Sequence, residues 1–241
     1  MTGPDGPDRV PCHGKNAVRR QAMESKKMAG TILEKAVEGR VVWFSERPLP
    51  FEAFLELSNG TDRELVDGVM VERIEAQPLD HELLFGWLIW LLYGYVQQNG
   101  LGIVLGSRTA VEIGPFGGRL PDILFVRQER MEIVQQKGVY GPPDLVLEIA
   151  SPNDKPSDII SLETDYRSVN VKEIWFIDPQ RKRVRVLRRQ AADYEEAELT
   201  TGTLASEAVA GFEIQVEWLF QDPRPNMLDT LTALLSPTAE E

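Results

Sequence analysis

Two apolar runs that each open with Pro-Asp place the strongest constraint on the fold of this chain. They are PPDLVLEIAS at residues 142–151 and LPDILFV at residues 120–126. Runs of this length that are rich in β-branched residues and entered from a turn predict buried strands. Glu148 lies inside the first run, where an unpaired ionised carboxylate would be strongly destabilising. We therefore expect Glu148 to have a partner.

Strand geometry narrows the choice of that partner. Asp144 and Glu148 share a face of one strand, but at ~3.3 Å per residue their Cα atoms lie about 13 Å apart. Asp122, from the other run, could reach Glu148 if the two strands pair side by side, ~4.8 Å apart. A pair of carboxylates suits a hard divalent cation such as Mg²⁺, or Mn²⁺. The sequence therefore predicts Asp122 and Glu148 as metal ligands.

Four motifs in this order give the chain a recognisable family likeness. They are ELVDG at 64–68, RLPDILFV at 119–126, PPDLVLEIASPND at 142–154, and Tyr166 followed by VKEIWFIDP at 171–179. Together they resemble the Uma-two-type putative restriction endonuclease family, within the PD-(D/E)XK nuclease superfamily. The resemblance extends from about Phe51 to Phe220. It implies a single-domain α/β fold of the restriction endonuclease-like type, with a mixed β-sheet flanked by α-helices.

The resemblance also implies a chemistry and a set of residues for it. Metal-binding carboxylates are expected at Asp122 and Glu148, with a further acid at Glu64. The implied reaction is hydrolysis of a DNA phosphodiester bond by a metal-activated water. On this basis the protein is expected to be a Mg²⁺-dependent or Mn²⁺-dependent endonuclease with DNA as its substrate. RNA or another phosphoester stays open as an alternative.

One position departs from the family pattern. Members carry a lysine on the helix after the Glu strand, about four residues before the tyrosine that matches Tyr166, and this chain has Leu162 there. The lysine is thought to orient or deprotonate the attacking water and to offset charge at the phosphate, which leucine cannot do. Lys155 is the first candidate to replace it, with Lys172 and Glu163 as weaker ones. The alternative hypothesis is a catalytically inactive nuclease fold that acts as a binding or structural module.

Charge gives mixed indications about a nucleic-acid partner. The formal net charge of −12 argues against non-specific binding over the whole surface, although it leaves room for a local basic groove. In RKRVRVLRR at 181–189, Arg183 and Arg185 alternate with valines, which predicts a strand with one core face and one basic face. That basic face could contact phosphates, but rows of this kind are more often solvated sheet faces.

The run DHELLFGWLIWLLYGYVQQNG at 80–100 predicts a helix that is apolar nearly all round. Such a helix is covered either by the rest of the fold or by a second subunit, so a homodimer is an open hypothesis. His81 in its first turn could act as a catalytic base, although a histidine there is usually solvated or capping. The 14 uncharged residues Leu83–Val96 are fewer than the ~20 needed to span a membrane. We expect no membrane association and a cytoplasmic protein.

The ends of the chain differ in composition from its middle. Residues 1–30 are rich in Gly, Pro and charge and predict a disordered or mis-started leader, whereas 237–241 form an acidic tail. The domain itself is expected to span 31–236, starting with a short helix at 31–37. Within it, ELVDGVMVERI at 64–74 predicts a hairpin about Asp67-Gly68. A single cysteine, Cys12, excludes an intrachain disulfide.

Overall fold

A six-stranded mixed sheet built on the two Pro-Asp runs organises the fold in the computed structural model, which describes residues 31–236 except 38–39, 59–60 and 74–75. In spatial order its strands are β14 (Asp193–Leu199), β13 (Arg183–Gln190), β12 (Glu173–Asp178), β11 (Leu145–Ile149), β8 (Ile123–Arg127) and β5 (Gly102–Gly106). Strands β11 and β12 run parallel, and the other neighbours pair antiparallel. The predicted leader and acidic tail lie outside the described residues.

Helices cover both faces of this sheet. Among the described residues the α-helices are α1 (Phe51–Leu57), α2 (Leu79–Asn99), α3 (Pro156–Ser168) and α4 (Met227–Leu235). On one face, α2 packs its buried leucines against side chains such as Phe125 and Trp175. On the other face, Leu162 and Tyr166 of α3 pack against Leu124 and the neighbouring apolar residues of the sheet. The period of two along each strand thus divides the core into two layers, and the predicted mixed sheet flanked by helices is confirmed.

A second sheet of eight strands contains the hairpin that carries Glu64. In spatial order its strands are β1 (Ile32–Val37), β2 (Arg40–Ser45), β4 (Val69–Arg73), β3 (Arg63–Val66), β7 (Gly118–Arg119), β6 (Val111–Glu112), β10 (Gly138–Val139) and β9 (Val134–Gln135). The predicted hairpin is confirmed, with Asp67 at φ 48° and Gly68 at φ 77° in its turn. Glycine suits this turn because a Cβ at position 68 would lie 2.6 Å from Cβ of Pro48.

The helix predicted at 31–37 is wrong. These residues form β1, which pairs antiparallel with β2 over the register Ile32↔Ser45 to Val37↔Arg40. The residues of β1 have good helix propensity, but propensity is a weak preference that strand pairing overrides. The β-branched and aromatic residues of β2 supply the partner strand.

The C-terminal part of the chain closes the fold. It adds a two-stranded sheet of β15 (Thr203–Ala205) and β16 (Glu213–Gln215) and a 3₁₀ helix at Val216–Leu219, while another 3₁₀ helix follows β8 at Gln128–Ile133. Helix α4 packs on α2. None of the described helices is long and apolar enough to cross a membrane. Leu83, Trp90 and Tyr93 of α2 stay exposed, so the helix is not covered all round, and the homodimer stays a prediction.

Candidate active site

Asp122 and Glu148 lie across from each other on neighbouring strands. Leu147 of β11 pairs with Ile123 of β8 in antiparallel register, so the next position outward places Asp122 opposite Glu148. The backbone N–H of Ile149 donates a hydrogen bond to Oδ2 of Asp122 over 2.8 Å, which fixes the carboxylate at the strand end. The pairing expected from the sequence is therefore present. Asp144 lies at the other end of β11, where Arg130 contacts it over 3.0 Å.

Glu148 is a buried carboxylate with a partner from α3. The hydroxyl of Tyr166, which is fully buried, donates a hydrogen bond to Oε1 of Glu148. Burial raises the pKa of Tyr166 well above its usual range, and the negative charge of Glu148 raises that pKa further. Tyr166 therefore keeps its proton and acts as a donor. The partner that the sequence required for Glu148 includes this phenol, which the strand pattern alone did not identify.

Asp122 has a partner from the first turn of α2. The Nε2 atom of His81 lies 3.3 Å from Oδ2 of Asp122, and Nδ1 lies 3.3 Å from Oε1 of Glu82. His81 is buried, so the expectation of a solvated or capping histidine is wrong. Burial lowers the pKa of His81, but the hydrogen bond and charge of Asp122, together with Glu82, outweigh it and raise the pKa overall.

A cleft of about 310 Å³ opens beside this pair of strands. His81, Leu162 and Arg108 are among the residues that line it. Its acidic lining residues are Asp62, Glu64, Glu82, Asp122, Glu148 and Asp154. Three of the residues predicted from the sequence, Asp122, Glu148 and Glu64, thus meet in one acidic cleft.

Glu64 is held in the cleft by a buried arginine that the sequence analysis did not identify. Nη1 of Arg119 lies 3.0 Å from Oε2 of Glu64, while Nε donates to Asp165 over 2.7 Å and Nη2 donates to Ser161 over 2.7 Å. Burial lowers the pKa of Arg119, but the charges of Glu64 and Asp165 reverse this and raise it overall. The signal available in the sequence was a lone arginine between a Gly-rich turn and a buried strand.

Packing explains the glycine at position 118, directly before Arg119. Gly118 pairs with Leu65 of β3, and a Cβ at position 118 would lie 2.9 Å from the ring of Phe51. A larger residue at position 118 would displace the rings of Phe51 and Phe54. Because β7 pairs directly with β3 at Gly118 and Leu65, Arg119 lies next to Glu64.

Leu162 lies where a lysine of α3 would reach the cleft. Its side chain is buried, lines the cleft and precedes Tyr166 by one helical turn. Lys155, at the N-terminal boundary of α3, is exposed and lies outside the residues that line the cleft. Lys172 and Glu163 are not among the lining residues either, and Glu163 forms ion pairs with Arg185 and Arg167.

The donor set of the cleft fits a magnesium-like ion with few protein ligands. In the part of the chain that the structure describes, no group of three or more His, Cys, Asp or Glu side chains is arranged to hold a metal ion. Mg²⁺, however, is usually bound through one or two carboxylates and completes its octahedral shell with waters and substrate phosphates. Asp122 and Glu148, opposite each other on β8 and β11, are such a pair.

Three of the four arginines of β13 are paired with carboxylates, whereas Nε of Arg189 donates to Oδ1 of Asn170 over 3.0 Å. Arg183 contacts Glu198 over 2.6 Å, and Arg185 contacts Glu196 over 2.7 Å and Glu163 over 2.9 Å. Arg188 contacts the fully buried Glu173 over 3.2 Å. These ion pairs neutralise the basic face that the alternating sequence predicted. This leaves the solvated, ion-paired sheet face as the better interpretation of RKRVRVLRR.

Comparison with known proteins agrees with this architecture. A family model named Uma2 and described as "Putative restriction endonuclease" matches residues 51–217. Among solved structures, the chain is similar to a putative nuclease belonging to DUF820 from Anabaena variabilis, with a TM-score of 0.60 and 17% sequence identity. That similarity covers 72% of this chain and 98% of the other. No curated protein matches the sequence.

Proposed function

The chain belongs to the Uma2 putative restriction endonuclease family, and on this premise we propose that it is a metal-dependent endonuclease acting on DNA at the cleft of Asp122 and Glu148. The observation that carries the proposal is the register of β8 and β11, which sets two carboxylates opposite each other in an acidic cleft. The DUF820 neighbour, which is described as a putative nuclease, has the same fold.

In this proposal three carboxylates of the cleft have a role. Asp122 and Glu148 would hold one Mg²⁺ or Mn²⁺ ion. The Ile149 N–H orients Asp122, and the Tyr166 hydroxyl orients Glu148. The bound ion supplies Lewis-acid stabilisation of phosphate charge and a lower pKa for its water. Glu64, held by Arg119, lies in the same cleft and can accept a hydrogen bond from the attacking water.

The reaction should be slow for a nuclease of this fold. Leu162 offers no charge at the position of the family lysine, so neither the attacking water nor the phosphate meets an ammonium from α3. Loss of one general base or one charge-stabilising donor commonly costs about 10²- to 10⁴-fold in rate. Lys155 stays a candidate replacement from the sequence, and its exposed position at the start of α3 does not strengthen it.

The proposal is tested by nicking of supercoiled plasmid in Mg²⁺ and in Mn²⁺ at low salt. The parent should nick the plasmid slowly and only with metal, and both Asp122→Asn and Glu148→Gln should be inactive. Asp193→Asn is the matched control, since its side chain is 88% exposed on the edge strand β14. Equal nicking by the parent and the two site variants would reject the proposal.

The second candidate is a nuclease fold that binds without cutting. The buried Leu162 in the cleft wall favours it, because leucine carries no charge at the position of the family lysine. Absence of nicking by folded parent protein, with duplex DNA still bound, would support this binding module.

A further inference from the structure

The cleft that we assign to DNA is acidic, and few basic side chains line it. Six carboxylates line it, from Asp62 to Asp154. Among the described residues that line the cleft, Arg108 is the single Lys or Arg. His81 is buried against Asp122 and Glu82, so its ring does not face an incoming strand as a free donor. A phosphate that approaches the cleft would therefore meet its protein cation at Arg108.

We propose that Arg108 is a phosphate-binding residue of this cleft, which exchanges its contact with Asp62 for a phosphate of the nucleic-acid backbone. The inference rests on the proposed function, because it takes the nucleic-acid backbone as the ligand of the cleft. It adds a residue and a contact that neither the carboxylate pair nor the family motifs include.

The contacts of Arg108 are of the kind that a phosphate can replace. Its Nε lies 2.6 Å from Oδ1 of Asp62, and its Nη2 donates to Oδ2 over 3.0 Å, which is a two-pronged contact with a planar anion. Guanidinium groups bind phosphate in the same forked manner. The side chains of Arg108 and Asp62 are 63% and 58% exposed. An ion pair this exposed contributes little to stability, so exchange of Asp62 for a phosphate costs little.

Other arginines of the fold are held by more contacts. Arg119 is buried and bound to three side chains, and Arg185 is shared between two glutamates. Arg130 contacts both the carboxylate of Asp144 and the carbonyl of Pro142. These side chains would have to break buried or multiple ion pairs before they could bind a phosphate. Arg108 would have to break only its exposed ion pair with Asp62 before it could bind a phosphate.

The backbone at Arg108 gives an independent reason to consider a functional role. Arg108 lies in the turn between β5 and β6 with φ at 74°, a left-handed conformation that glycine adopts without a Cβ penalty. A non-glycine residue there is strained, and such strained residues cluster at ligand-binding sites. The turn therefore holds the arginine among the residues that line the cleft at the expense of local stability.

The test is binding of a short fluorescent DNA duplex to the full-length protein in Ca²⁺, measured by anisotropy over a range of salt concentrations. Arg108→Gln should bind about tenfold more weakly, and the slope of log K against log salt should become shallower by about 0.9, the value for one lost phosphate contact. Arg108→Lys should keep the slope, since it keeps the charge. Asp62→Asn should bind more tightly than the parent, because it removes the competing carboxylate.

Arg181→Gln is the matched control, since this arginine forms an exposed ion pair with Asp178 away from the cleft. It should bind like the parent. Parent affinity and parent slope in Arg108→Gln would overturn the inference, even if nicking depends on Asp122. If instead the duplex binds through Arg108 while nicking is the same in the parent and Asp122→Asn, the inference stands and the endonuclease proposal fails.

Discussion

The hydroxyl of Tyr166 donates a hydrogen bond to Oε1 of Glu148, and this contact joins helix α3 to the strand of the candidate metal ligand. Both residues are buried, and Leu162 lies one helical turn before the tyrosine. The contact therefore fixes the carboxylate and also brings position 162 to the cleft.

Tyr166→Phe should lower the free energy of unfolding by about 1–3 kcal/mol, because it leaves a buried carboxylate without this donor. Tyr194→Phe is the control, since Tyr194 donates to the backbone carbonyl of Val171, a neutral acceptor, and should cost about 1 kcal/mol. Urea unfolding measures both values. An equal loss in the two variants would argue against a special role for the Glu148 contact.

Mn²⁺ should raise the melting temperature of the parent but not of Asp122→Asn or Glu148→Gln. An ion that binds only the folded state stabilises it by about 2.7 kcal/mol at 100 times its Kd. Asp144→Asn is the control on the same strand: it breaks the contact with Arg130 and should lower the melting temperature, yet it should keep the Mn²⁺ increment. Thermal unfolding with and without Mn²⁺ decides the matter. A full increment in Asp122→Asn would remove Asp122 from the ligand set.

Leu162→Lys should increase the rate of plasmid nicking by about 10²-fold, because it places an ammonium in the cleft wall near Glu148. Leu162→Met, whose side chain is similar in length to lysine but has no charge, should nick at the parent rate. The comparison of initial rates at equal protein and Mg²⁺ concentrations is the measurement. If the methionine and lysine variants have the same rate, charge at position 162 is not what limits the reaction.

Arg119→Met should destabilise the fold by about 3–5 kcal/mol, because the carboxylates of Glu64 and Asp165 would lose their ion-pair partner and contact a buried apolar side chain instead. The exposed pair of Arg108 with Asp62 provides the comparison, and Arg108→Met should change the free energy of unfolding by less than about 1 kcal/mol. Chemical denaturation of both variants at neutral pH gives the two values. A loss under 1 kcal/mol in Arg119→Met would contradict a structural role for this arginine.

Asp178 should stabilise the protein in a pH-dependent manner. Burial raises the pKa of Asp178, but the backbone N–H and the guanidinium of Arg181 lower it more, so its folded pKa is below its ordinary value. The stabilisation is therefore complete above the unfolded pKa of ~4 and is lost as the pH falls through the folded value. Relative to the parent, Asp178→Asn should be less stable at pH 6, and the difference should shrink towards pH 3. A difference that is independent of pH would contradict this assignment.

The strand character of the two Pro-Asp runs could be predicted from local rules, whereas their pairing was left as a condition that the structure meets. An apolar run of β-branched residues with a carboxylate inside it indicates a buried strand, and the period of two sets which residues share a face. The hairpin at Asp67-Gly68 and the helix α2 follow from equally local signals, and both are present. The strand at 32–37 contradicted such a rule, because its conformation depends on its partner β2 rather than on its own propensity.

The sequence by itself determined that Glu148 and Asp122 belong to two buried strand runs, because strand periodicity and burial are encoded within short segments. That these two runs are neighbours was conditional in the sequence, and the tertiary structure shows it. The tertiary structure alone decided which side chains complete the cleft: His81 beside Asp122, Arg119 beside Glu64, and Tyr166 beside Glu148. It also decided that Arg183 and Arg185 of β13 are bound to acids and that Arg108 lines the cleft. These contacts join residues far apart in the chain, and their distances are set by how helices and loops pack on the sheet, for which no local pattern carries the information.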